Sequence, residues 1–116
     1  MELQCAIING DLDRLRNLEH QILEHVNHVY EDPGNDEKFS IYWITSHEDK
    51  KIALDMFMMF INTCQTALGD YFHDYMSVMA YPAMVGAVCR RNEAIIDILK
   101  TFMDEDSYMD IVSRYN

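Results

Sequence analysis

The segment from His47 to Leu68 constrains the fold more than any other part of the sequence. One side of a helix built from it would carry Ile52, Met56, Met59, Phe60, Thr63 and Ala67. Another side would carry Leu54, Phe57, Ile61 and Leu68. A helix that is apolar on most of its circumference must be enclosed by other parts of the fold. We therefore expect this helix at the centre of the molecule, with Gly69 ending it.

An amphipathic pattern also begins at Leu12. Apolar side chains recur there at spacings of three and four residues, at Leu12, Leu15, Leu18, Ile22, Val26 and Val29. This periodicity predicts a helix with one core-facing stripe, and Asp11 is placed to cap its first turn. The acidic segment that follows contains Pro33 and Gly34, which are expected to end the helix in a loop.

Two pairs of polar residues indicate further helix starts. Ser46 followed by Asp49 has the spacing of a capping box and is expected to begin the central helix. Ser107 followed by Asp110 has the same spacing and is expected to cap a terminal helix.

The segment FSIYWIT, from Phe39 to Thr45, has the composition of a strand. It is rich in β-branched and aromatic residues, which favour a pleated, half-buried surface. A sheet needs at least one more strand, and no second candidate is found in the sequence. We therefore expect this segment to be extended or irregular.

Length and composition favour a single domain. The chain has 116 residues, of which 49% are hydrophobic, enough to close one core. Asp55 interrupts the apolar run from Ile52 to Ile61, so no membrane span is expected. Cys5, Cys64 and Cys89 include no CxxC pair and are expected to be reduced thiols, mostly buried. The start of the sequence does not resemble a secretory signal, so we expect a cytoplasmic protein.

The segment from Tyr81 to Met103 suggests a turn followed by two short helices. After a predicted helix from Asp70 to Ala80, Pro82 would open this unit. The unit resembles an ankyrin repeat. Tyr-Pro-Ala-Met takes the place of the Thr-Pro-Leu-His turn, and the other matching positions are Gly86 and Ala87, the small pair of the first helix, and Glu93, Ile95, Ile98 and Leu99 of the second.

A second match lies at Ala6 to Leu18, with Gly10 at the break between helices. Together the two matches cover roughly a third of the chain. Gly10 and Arg90, the equivalent positions, are 90 − 10 = 80 residues apart, whereas ankyrin units recur at about 33. Either the middle is a degenerate unit with an insertion, or the likeness is that of any helical hairpin. The degenerate form is similar in style to repeats of viral and bacterial effector proteins.

These patterns predict an all-α, single-domain fold spanning residues 1–116, with an acidic loop at about 31–38. It would be a compact bundle of about five to seven helices, or a stack of ankyrin-like hairpins.

The net charge is strongly negative: the chain has 20 acidic and 9 basic side chains, which gives a net charge of −11. Such a field repels nucleic acid and anionic membranes, and it favours a protein partner with a basic surface. Arg90 and Arg91 are expected at a helix C-terminus. The acidic residues cluster in two places, and we predict partner contacts at Glu31, Asp32, Asp36, Glu37, Asp104, Glu105 and Asp106.

Histidine spacing offers weak metal sites. His20, Glu24 and His28 would share one helical face, but this face lies opposite the core stripe, where solvated polar side chains are usual. His73 next to Asp74 is a pairing that many chains have by chance. The sequence has no glycine-rich phosphate loop and no nucleophile motif. We therefore expect no catalysis, no cofactor and no metal.

Two functions are predicted as alternatives. The first is a non-enzymatic protein-interaction module that binds and inhibits or tethers a host or cellular protein. The second is an acidic mimic of nucleic acid, an anti-defence protein that blocks a DNA- or RNA-binding enzyme such as a nuclease. Direct binding to nucleic acid or membrane is not expected. Pairing of two copies through part of Ile52 to Ile61 is left open.

Overall fold

The computed structural model describes residues 2–21 and 39–115, with side chains from residue 5 and from residue 41 onward in these two ranges. All regular elements within them are helical, which confirms the all-α prediction. The α-helices are α1 Glu2–Asn9, α2 Leu12–Asn17, α3 Phe39–Thr45, α4 Lys50–Leu68, α5 Phe72–Arg90, α6 Glu93–Leu99 and α7 Glu105–Tyr115. Short 3-10 turns, Gly69–Tyr71 and Lys100–Phe102, follow α4 and α6.

Helix α4 is the predicted central helix. Its N-cap is Asp49, whose Oδ1 accepts hydrogen bonds from the backbone N–H groups of Lys51 (3.0 Å) and Ile52 (3.1 Å). The prediction of Ser46 as the cap was wrong, because Asp49 itself fills this role and the helix begins only at Lys50. Gly69 ends the helix with a φ of 53°, as predicted.

Helices α4 and α5 supply most of the core, and α1, α2, α3, α6 and α7 cover them. The largest fully buried side chains are Tyr75, Phe57, Ile7, Leu15, Ile41, Ile44, Met56, Met76, Met79, Met84 and Ile95. Four of these are methionines, whose flexible thioethers fill irregular gaps between helices.

Met58 of α4 is 41% exposed. Dimerisation through α4 stays a prediction.

Length and composition alone would let the apolar segment Lys50–Arg90 cross a membrane. The core helices of soluble proteins can be equally long and apolar. In this fold, 44% of the 18-residue stretch that is apolar enough to cross a membrane is buried. We attribute its apolar character to the core, because α4 and α5 both supply fully buried side chains.

The segment FSIYWIT forms helix α3, so the prediction of extended or irregular structure was wrong. Ile41 and Ile44, three residues apart, are 0% and 1% exposed. Residues at this spacing point to the same side of a helix but to opposite sides of a strand. Thr45 is also fully buried. Helix packing has here overridden the strand-like composition.

Helix α5 runs through Pro82 without a break. The predicted helix end at Ala80 and the predicted turn at Tyr81 were therefore wrong. Side chains on both sides of the proline, Met79, Ala80, Ala83 and Met84, are fully buried. Their burial holds this stretch helical although proline removes one backbone hydrogen bond.

The same turn joins α1 to α2 and α5 to α6. Gly10 and Arg91 have left-handed backbones, with φ of 66° and 55°. The residues after them, Asp11 and Asn92, have nearly identical φ and ψ, −86° and 90° against −85° and 87°. In the first turn the Asp11 N–H donates to the Ala6 carbonyl at 3.0 Å, and in the second the Asn92 N–H donates to the Ala87 carbonyl at 2.9 Å. Two helix–break–helix units are thus confirmed, with Arg91 rather than Arg90 equivalent to Gly10. The ankyrin resemblance itself stays a prediction.

Helix α2 is shorter than predicted. Asp11 caps it as expected, accepting from the backbone N–H of Arg14 at 3.1 Å. The helix ends at Asn17, because Leu18 leaves helical geometry with φ −101° and ψ 18°. Residues 19–21 are helical again. The rest of the predicted helix lies outside the described residues.

Candidate functional site

The structure describes one of the two predicted acidic clusters. Glu31, Asp32, Asp36 and Glu37, with the whole predicted acidic loop, lie outside the described residues. Asp104, Glu105 and Asp106 are exposed at the start of α7.

Asp104 has a structural role as the N-cap of α7. Its Oδ1 accepts from the Ser107 backbone N–H at 2.7 Å, and its carbonyl accepts from the Tyr108 N–H at 3.2 Å. The hydrogen bond from the Ser107 backbone lowers the pKa of Asp104. The prediction of Ser107 as the cap was therefore wrong: Ser107 lies within the first turn and donates to the cap.

The histidines do not form a metal site in the part of the chain that the structure describes, where no group of three or more His, Cys, Asp or Glu could hold an ion. His20 is exposed, while Glu24 and His28 lie outside the described residues. The ring of His73 packs against Phe102, with centroids 5.8 Å apart.

Cys64 and Tyr75 form a buried polar pair in the core. Burial raises the pKa of the Cys64 thiol to about 12, and the neighbouring Tyr75 hydroxyl offsets this only in part. Burial also raises the pKa of Tyr75. Both groups are thus uncharged near neutral pH, which makes Cys64 a packing residue rather than a nucleophile. All three cysteines are free, but Cys5 and Cys89 are exposed, contrary to the expectation of mostly buried thiols.

A cleft that sequence reasoning missed lies between α6 and α7 and has a volume of about 520 Å³. We call it the α6–α7 cleft. The apolar lining residues Val88, Ile96 and Val112 are buried or half-buried, as is Tyr108, and we call the three apolar residues the floor of the cleft. Charged side chains surround the floor, two of each sign: Arg91, Glu93, Asp97 and Lys100.

Helix periodicity places two of these charges. Glu93 and Asp97 are four residues apart on one face of α6, and Lys100, the first residue of the 3-10 turn after α6, follows three residues later and lines the same cleft. Ile95 and Leu99 occupy the opposite face and are fully buried. The core thus fixes which side of α6 meets the cleft.

Helix α7 forms the other wall and is held to α5. Ile111 is fully buried in the core. The Tyr81 hydroxyl of α5 donates to Asp110 at 3.2 Å, and Arg114 also pairs with Asp110 at 3.2 Å. Desolvation and this hydrogen bond to Asp110 raise the pKa of Tyr81. The contacts of Ile111 and Tyr81 therefore hold α7 against the rest of the fold.

The four cleft charges are not paired with one another. Over residues 2–21 and 39–115, the ion pairs lie elsewhere, joining Arg16 to Asp13, Lys51 to Asp55 and Arg114 to Asp110. Lys100 instead lies over the ring of Tyr108, with Nζ 4.4 Å from the centroid. The cleft therefore presents both signs of charge to solvent above an apolar floor.

Arg90 and Arg91 lie at the C-terminus of α5, as predicted, but they differ in role. Arg90 is the last helical residue, and its Nε donates to the Ser46 carbonyl at 2.8 Å. Arg91 lies beyond the helix end and lines the cleft. The charge spacing of α6 was visible in the sequence, but the position of α7 against it was not.

A model of a family of unknown function, DUF5903, matches residues 2–115. The chain belongs to this family. No match was found among curated proteins or among solved structures. The matched range includes all the described helices and both walls of the cleft.

Proposed function

We propose that this chain is a non-enzymatic protein-binding domain that inhibits or tethers a host or cellular protein in the cytoplasm. The α6–α7 cleft is the proposed contact surface, and it is the observation that carries the proposal. Protein interfaces combine an apolar centre with a polar rim, and unpaired charges on that rim can steer and orient a partner. The cleft has this arrangement at Ile96 and Val112, with Arg91 and Asp97 beside them.

A macromolecular partner suits this cleft better than a small ligand. Small-molecule sites are mostly apolar and enclose most of their ligand. The α6–α7 cleft is open to solvent, and four of its eight lining residues are charged. The net charge of −11 favours a partner with a basic surface and opposes nucleic acid and anionic membranes.

The nucleic-acid mimic is the second candidate, and the geometry at Asp104 weighs against it. A phosphate-like carboxylate has to face the partner, whereas that of Asp104 accepts a hydrogen bond from its own helix. Capping thus uses one of the two carboxylate oxygens of Asp104, so this residue is a poorer phosphate mimic than a carboxylate with both oxygens free.

Site-specific photo-crosslinking tests the proposal. A photoreactive amino acid replaces Asp97 in the cleft or, as a control, Thr66, which is exposed on α4. Both proteins are expressed as full chains in the cells from which the sequence comes. We expect a discrete crosslinked protein from position 97 and none from position 66. Equal labelling at both positions, or none at position 97, would contradict the proposed surface.

A further inference from the structure

We infer that Arg91 is the anchor residue of the α6–α7 cleft. Its guanidinium binds a carboxylate of the partner, and the same partner segment places basic side chains against Glu93 and Asp97. This inference rests on the proposed function, because it assigns chemistry to the partner of the proposed surface.

The backbone of Arg91 is the first observation. Arg91 has a φ of 55°, a left-handed conformation that glycine adopts freely and other L-residues disfavour. The equivalent turn between α1 and α2 has glycine, Gly10, at this position. The hydrogen bonds that define both turns come from the backbone, so the turn itself does not need the arginine side chain. The chain thus has a charged side chain where glycine would fit the turn better.

The side chain of Arg91 is the second observation. It is exposed, lines the cleft, and forms no ion pair with any described residue although Glu93 and Asp97 line the same cleft. A guanidinium offers two parallel N–H donors that match a carboxylate. Arginine is also enriched among the residues that dominate binding energy in protein interfaces. A partner carboxylate is the group that this position fits.

The order of charges along the cleft defines the rest of the partner. Arg91 precedes α6 and Lys100 follows it, while Glu93 and Asp97 lie between them on successive turns. Lys100 is held over Tyr108. The complementary segment therefore carries an acidic group for Arg91 and basic groups for the two carboxylates. The net charge of −11 favours a segment that is basic overall.

Three synthetic peptides test this assignment. The first has one glutamate, a central apolar residue and two lysines. The second replaces the glutamate with glutamine, and the third replaces both lysines with glutamine. Fluorescence anisotropy measures their binding to the full chain, to Arg91→Gln, and to Arg16→Gln, a control that removes one exposed positive charge from α2.

We expect the wild type to bind the first peptide most tightly. Arg91→Gln should weaken this binding about ten-fold or more, the effect of one charge-assisted hydrogen-bonded pair. It should leave binding of the second peptide unchanged, because that peptide has no carboxylate for Arg91. Arg16→Gln should bind all three peptides as the wild type does.

Three results would overturn the anchor role while leaving the proposed function standing. The first is unchanged binding of the first peptide to Arg91→Gln, and the second is an equal loss of binding in Arg16→Gln. The third is failure of the wild type to bind any of the peptides although position 97 still crosslinks to a cellular protein. Absence of crosslinking, in contrast, would count against the proposed surface itself.

Discussion

Gly86 of α5 lies directly against Thr45 of α3. A Cβ at Gly86 would collide with Thr45 Oγ1 and would come within 3.0 Å of the Tyr42 carbonyl oxygen. The sequence predicted that Gly86 and Ala87 meet a neighbouring helix; both are buried, and Gly86 makes such a contact. The neighbour is α3, the segment for which no helix was predicted.

Replacing Gly86 with leucine should therefore destabilise the fold. We expect Gly86→Leu to lower the free energy of unfolding by about 1 to 3 kcal/mol through overpacking. On an exposed helix the same change would be stabilising by about 0.8 kcal/mol, because leucine is the better helix former. Thermal melts distinguish these outcomes, with Ser77→Leu as the control at an exposed position of α5. An unchanged or raised midpoint for Gly86→Leu would refute the close contact.

The two left-handed turns should respond oppositely to substitution. Arg91→Gly should stabilise the fold by about 1 kcal/mol, because glycine removes the strain of a left-handed L-residue. Gly10→Ala should destabilise it, since its Cβ would be both strained and only 2.8 Å from Ile52 Cγ2. Chemical denaturation of both variants measures the changes. If Arg91→Gly were less stable than the wild type, the side chain would have a structural role that the anchor inference denies.

The three thiols should differ in reactivity. Cys5 and Cys89 are exposed, whereas Cys64 is buried with a pKa raised to about 12. A thiol reagent at mildly alkaline pH should modify two cysteines quickly and Cys64 only after denaturation. Because the folded pKa of Cys64 lies above its ordinary value of 9.0, its contribution to stability is lost as the pH rises from 9.0 towards 12. Rapid modification of Cys64 in Cys5→Ser/Cys89→Ser would contradict its burial.

Neutralising the described acidic cluster should affect binding little. Asp104→Asn, Glu105→Gln and Asp106→Asn together remove three negative charges, while asparagine still caps α7. We expect the protein crosslinked at position 97 to bind this variant almost normally, with slower association because steering is weaker. Measuring affinity at low and high salt tests this. Loss of binding at low salt, with an unchanged melting temperature, would instead support the nucleic-acid mimic.

Strong local signals predicted some elements well. The length and apolar circumference of α4 and its end at Gly69 follow from sequence periodicity and from the backbone freedom of glycine. The cap at Asp11 also follows from its position before the stripe. Each of these depends on residues close together in the chain.

Other features depend on contacts between distant residues. Helix α3 has strand-like composition, and its packing against Gly86 becomes visible only in three dimensions. Pro82 is an expected break that the buried side chains around it prevent. At α7, the sequence predicted Ser107 as the cap, whereas the backbone geometry selects Asp104. The α6–α7 cleft required the position of α7, which Tyr81 and other residues of α5 fix.

The most direct test of binding through the α6–α7 cleft is to measure the partner's affinity after a cleft charge has been reversed. Asp97→Arg reverses a charge inside the α6–α7 cleft, and Asp70→Arg makes the same net change in the exposed 3-10 turn after α4. For the protein crosslinked at position 97, we expect Asp97→Arg to weaken binding about ten-fold or more. Asp70→Arg should change it less than about two-fold at physiological salt, because Asp70 does not line the cleft and salt weakens the effect of exposed charges. Equal losses in the two variants, or no loss in Asp97→Arg, would contradict binding through the cleft.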